Sequence, residues 1–186
     1  MDLLISGIII WSFVHLVPSM APGLKRKWTG LLGKNGYKLS FTALLLIALA
    51  LIITGWRSTV PELLYSLAVP FRHGAMLLVL LAFVLFGASQ YPSRIKQFVR
   101  HPQLTGVIVW AAAHLLVNGD SRSVVLFGSM AVWASLEIVL INRREGAWVK
   151  TPVPGWGREL RGLIISLVIF VLVVLAHPYF TGVAVA

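Results

Sequence analysis

Six apolar runs alternate with polar connectors along this chain, at about 3–20, 39–56, 73–90, 104–118, 123–141 and 162–180. Most approach the ~20 residues that an α-helix needs to cross the hydrocarbon core of a bilayer. The fourth run is the shortest. The pattern predicts an all-α fold: a polytopic transmembrane helical bundle of about six spans, forming one domain over residues 1–186. Asn118-Gly119-Asp120 predicts a tight turn that joins the fourth and fifth runs as a helical hairpin. Residues 61–71, from Pro61 to Pro70-Phe71, read as a short interfacial helix. No internal repeat or low-complexity tract interrupts the pattern.

Composition agrees with the bilayer. Hydrophobic residues make up 58% of the chain and charged residues only 12%, with a mean hydropathy of +0.87. A soluble domain with a solvated surface is far more polar. There are no cysteines, which excludes disulfides, cysteine-ligated zinc, iron–sulfur clusters and covalent C-x-x-C-H haem. A redox cofactor would have to rely on histidine or oxygen ligands, or on packing.

The net charge of +10 could suggest a nucleic-acid partner, but its distribution points elsewhere. Lys25, Arg26, Lys27, Lys34 and Lys38 follow the first run with no acid among them. Arg94, Lys96 and Arg100 precede the fourth, and Arg143, Arg144, Lys150, Arg158 and Arg161 follow the fifth. The alternate connectors carry Arg57, Arg72 and Arg122 against Glu62, Asp120 and the N-terminal Asp2. The positive-inside rule then puts the first, third and fifth connectors in the cytoplasm and both termini on the non-cytoplasmic side. Ser19-Met20-Ala21 looks like a signal-peptide cleavage site, but the segment before it holds Asp2 and no Lys or Arg, so the first run reads as a retained helix.

Ionisable groups inside such helices are costly and mark candidate sites. His15 falls about 8 Å inside the cytoplasmic end of the first helix, and His114 about 15 Å into the fourth. Two neutral imidazoles facing each other across a bundle can ligate haem iron. The structural alternative for each is a hydrogen bond to a neighbouring carbonyl or hydroxyl. Trp11 and His15 are four apart, as are Trp110 and His114, and Trp133 and Glu137, which puts each pair on one helical face. Glu137 reads either as a histidine partner or proton acceptor, or as a snorkelling, Arg-paired carboxylate. Arg100 and His101 precede Pro102 at a helix start and could hold a propionate, a phosphate or another cofactor anion. His73 and His177 lie near helix ends, where polar residues reach water cheaply. There is no H-E-x-x-H, P-loop or G-x-S-x-G motif.

Arg100-His101-Pro102-Gln103-Leu104, then Trp110, His114, Asn118-Gly119-Asp120 and Leu126-Phe127-Gly128, together with His15-Leu16-Val17-Pro18-Ser19, resemble the NnrU family of bacterial inner-membrane proteins. The resemblance covers nearly the whole chain. It implies an inner (cytoplasmic) membrane protein associated with nitrite and nitric oxide metabolism. That family is in turn similar to plastid 15-cis-zeta-carotene isomerase, a haem b protein, and this similarity implies His15 and His114 as axial ligands. His114 stands thirteen residues after His101, as the resemblance requires. Where the isomerase carries a further histidine in the fifth helix, this chain has Trp133.

A looser similarity links Arg100-His101-Pro102, Gly106 and a late glutamate to membrane methyltransferases that use S-adenosylmethionine. It implies that Arg100 and His101 hold that cofactor, with Glu137 or Glu145 in contact. The leading expectation is a lipid-embedded protein with haem b between His15 and His114. Its role is redox-linked or isomerase-like, on a hydrophobic substrate. The alternative is a non-enzymatic factor that supports a denitrification complex.

Overall fold

The computed structural model describes residues 1–66 and 71–182. Six α-helices follow one another: α1 (Asp2–Met20), α2 (Pro22–Ser58), α3 (Phe71–Ser89), α4 (Pro102–Leu115), α5 (Ser121–Glu145) and α6 (Trp156–Thr181). A single 3-10 turn, Arg94–Gln97, lies between α3 and α4. No β-strand occurs among the described residues; Leu63 and Asp120 form an isolated bridge. Five of the helices are long and apolar enough to cross a membrane. The exception is α4, whose 14 residues span about 21 Å at 1.5 Å each, against a core of about 30 Å.

The first basic connector is not a loop. Pro22 sits in the first turn of α2, where its missing N–H costs nothing. The helix runs on through the lysines until Gly33, whose φ of 70° and ψ of 171° break it sharply. Only glycine takes such a conformation readily. Residues 22–32 therefore form a separate limb, and 34–58 the membrane-length helix.

The interfacial helix expected at 61–71 is also corrected. Residues 61–66 form no helix and lie along the α4–α5 connector. Leu64 and Tyr65 donate their N–H groups to the Gly119 carbonyl at 2.8 and 3.0 Å, and Ser121 donates to Glu62 at 2.8 Å. Pro61 at the head of the segment opposes a helix, and the connector supplies the backbone partners that a helix would have supplied internally. Residues 67–70 lie outside the described residues.

Packing sets α1 between α2 and α5, and α3 between α4 and α6, with α4 against α5. Small residues allow close approach, as expected where lipid removes the hydrophobic drive between helices. A Cβ on Gly7 would come within 2.7 Å of the Ala48 carbonyl, and one on Gly55 would collide with the Leu4 backbone. On the other side, Gly87 faces Ser166 and Gly162 faces the Tyr91 hydroxyl. The outer surface stays apolar: Leu172 and Leu175 of α6 are 59% and 66% exposed.

Hydrogen bonds gather the connectors at two ends. At one end, Arg144 Nη1 donates to the Pro18 carbonyl at 2.9 Å, which Pro22 has no N–H to satisfy. Gln97 donates to the Thr151 carbonyl at 2.6 Å. The buried Glu159 carboxylate accepts from the Arg94 N–H and, at 3.4 Å, from the Ser93 hydroxyl. At the opposite end, Arg122 donates to the carbonyls of Trp56 and Thr59 at 3.0 and 3.4 Å. The three basic connectors thus share one end of the bundle, and the near-neutral ones the other.

Candidate functional site

Helices α1, α4 and α5 enclose a common core. Met130, Trp133 and Ala134 of α5 are buried there, with Trp11 and Leu16 of α1 and Leu104, Val107, Ile108 and Trp110 of α4 packed against them. Both Trp-x-x-x-His pairs therefore face the same three-helix core from opposite partners.

Each histidine is held by the same device. His15 Nδ1 lies 2.9 Å from the Trp11 carbonyl and His114 Nδ1 lies 2.8 Å from the Trp110 carbonyl. A carbonyl only accepts, so each Nδ1 carries the proton and donates it. In the neutral ring the lone pair is then on Nε2. A backbone carbonyl that fixes the tautomer in this way is the usual support of a metal-ligating histidine.

Aromatic rings wall both imidazoles. His15 contacts Trp11 at 4.5 Å, Trp133 at 5.0 Å and Phe41 at 5.7 Å between centroids. His114 contacts Trp110 at 4.9 Å and stacks on Phe127 at 4.3 Å. On α5 the Trp133 ring meets His15 and Trp11 from across the core.

The two histidines sit at different levels. Phe127 and Trp133, their contacts on α5, are separated by about 9 Å of helix rise. His114 is the penultimate residue of α4, about 18 Å beyond Pro102 and deeper than the sequence suggests. The Tyr65 hydroxyl closes the adjoining turn by donating to the Leu115 carbonyl at 2.5 Å. The imidazoles share the core and α5 but no neighbouring ring. His73 is exposed.

Glu137 is buried, at 4% exposure. Ser19, one helical turn after His15, donates its hydroxyl to the carboxylate at 2.6 Å. No arginine pairs with it among the described residues, so the snorkelling alternative does not describe it. Ser19 was hidden from sequence reasoning inside an apparent cleavage site. The connection to α5 was its only signal, and that lies 118 residues away.

Arg100 and His101 are tied down. Arg100 pairs with Glu145 at 3.5 Å and donates to the Gly146 carbonyl at 2.8 Å. His101 Nε2 lies 2.9 Å from the Asn142 amide oxygen. Together they fasten the start of α4 to the end of α5, beside the core but about 18 Å of helix away from His114.

Each imidazole has Nδ1 engaged by a backbone carbonyl, the kind of donor that can ligate haem iron singly, while the two stand about 9 Å apart in level along α5 and each packs directly on protein rings. Three buried indole N–H groups, of Trp11, Trp133 and Trp56, have no acceptor among the described residues. Trp11 and Trp133 flank His15, and Trp56 packs on Phe127 beneath His114. Buried donors are normally satisfied; Trp11 and Trp133 leave two such donors open beside His15.

A model of the NnrU protein family matches residues 3–185 of the chain. No curated protein and no solved structure matches it.

Proposed function

The chain belongs to the NnrU family, and we propose that it is a multi-pass inner-membrane protein that binds haem b through His15 and His114. The duplicated Trp-carbonyl support of the two imidazoles carries this reading. Bound haem would supply a redox centre or a Lewis acid. The protein's own part is to hold each imidazole in one tautomer, to exclude water with Trp11, Trp110, Phe127 and Trp133, and to keep the Glu137 carboxylate beside His15. Ser19 positions that carboxylate. Arg100 and His101 set the register of α4 against α5, and so the depth of His114. Their engagement with Glu145 and Asn142 favours haem over S-adenosylmethionine as the cofactor.

The role that follows is redox-linked or isomerase-like chemistry on a hydrophobic substrate reached from the bilayer. With six crossings, α4 being the short one, the basic end faces the cytoplasm and both termini lie outside. An absorption spectrum of protein purified from haem-replete cells tests the assignment. A Soret band at about one haem per chain supports it, and a colourless preparation would overturn it.

A further inference from the structure

The limb 22–32 presents two chemically opposed faces. Leu24, Leu31 and Leu32 are exposed at 46%, 85% and 52%. With Trp28 they recur at helical spacing on one side. Lys25, Arg26, Thr29 and Gly30 occupy the other side. There they line a cleft of about 640 Å³ whose far wall is Pro18 and Arg144.

The cleft is strongly basic and poorly neutralised. Neither Lys25 nor Arg26 has a carboxylate within ion-pair distance among the described residues. Lys25 has only the Tyr37 ring, at 5.9 Å. Arg144 is shared with Glu145 at 3.2 Å, and Glu145 also serves Arg100. Of the three cations that line the cleft, only Arg144 has an acid partner among the described residues, and that acid is already divided.

We infer that this cleft binds the phosphate of an anionic phospholipid in the leaflet at the basic end, with the limb lying in the membrane interface. Free phosphate would satisfy the cations and leave the leucines in water. A bilayer satisfies both faces, with a phospholipid phosphate offered to Lys25, Arg26, Thr29 and Arg144 and the surrounding hydrocarbon to Leu24, Leu31 and Leu32. The break at Gly33 is what permits it, because a straight continuation would carry the lysines along the membrane normal. Amphipathic basic helices bind anionic bilayer surfaces by this combination. The inference does not depend on haem.

The test is native mass spectrometry of the purified full chain after exchange into mixed phosphatidylglycerol and phosphatidylcholine. The wild type should retain phosphatidylglycerol preferentially, and Arg26→Gln, whose exposed side chain carries no fold contact, should reduce that preference about five-fold. Arg144→Gln should do the same, while Arg158→Gln, exposed on α6 away from the cleft, should leave it unchanged. Equal retention of the two lipids would overturn the inference. So would a preference unaffected by Arg26→Gln and Arg144→Gln, or displacement of the lipid by millimolar inorganic phosphate.

Discussion

Ser19 donates its hydroxyl to the Glu137 carboxylate at 2.6 Å, joining the last turn of α1 to α5 beside His15. The bond bridges two helices that the sequence separates widely, and it gives a buried acid its protein donor. Removing that donor leaves the carboxylate partly unsatisfied. Ser19→Ala should therefore cost about 1–3 kcal/mol, read as a lower thermal midpoint in detergent. Ser19→Thr, which keeps the hydroxyl, should recover most of the loss.

The α1–α2 contact depends on the absence of a side chain at Gly55. A Cβ there would strike the backbone of Leu4, which cannot move without displacing α1. Gly55→Val should destabilise the protein by about 1–3 kcal/mol or more, as overpacking does. Gly128→Ala is the control, since nothing lies near its added methyl. It should be neutral or slightly stabilising in the same assay.

Asp120 caps α5, accepting from the N–H groups of Arg122 and Ser123 at 3.0 and 3.2 Å and from the Ser123 hydroxyl at 2.6 Å. Burial alone would raise its carboxyl above the usual range. The bonds from Ser123 and the nearby Arg122 guanidinium outweigh burial and hold it below. A depressed folded pKa means a stabilising contribution that is present above the ordinary aspartate value and is lost as pH falls through the folded one. Acid unfolding of the wild type should show this loss, and Asp120→Asn should flatten it. Asp120→Ala should cost about 0.5–2 kcal/mol at neutral pH through loss of the cap.

Glu159 anchors α6 to the α3–α4 connector through the Arg94 N–H and the Ser93 hydroxyl. Arg94 in turn covers the Trp156 ring at 4.0 Å. Glu159→Ala should loosen this corner and speed proteolysis at 90–101 and 146–156, measured by limited digestion. Glu159→Gln, which keeps an acceptor, should resemble the wild type.

Much of this architecture is readable from the chain because hydropathy and helix length are local properties. The apolar runs at 123–141 and 162–180 became α5 and α6, each extended by a few polar residues at its ends. The Trp-x-x-x-His spacing announced ring contacts that the structure contains. The limb at 22–32 was not readable, because a lysine-rich stretch looks like a connector whether or not it is helical. Its punctuation was Gly33, which is informative only once its positive φ is known. The non-helical segment at 61–66 depends on the Gly119 carbonyl, a partner no local pattern reveals. The level of His114 against α5 likewise follows from Arg100 and His101 fastening α4 to α5, a long-range register.

Histidine ligation of haem is tested most directly by the absorption spectra of His15→Gly and His114→Gly, recorded with and without added imidazole. The account predicts a Soret band in the wild type that is lost or strongly altered in each variant and is restored when imidazole replaces the missing ring. Variants that keep the wild-type spectrum unaided would contradict it.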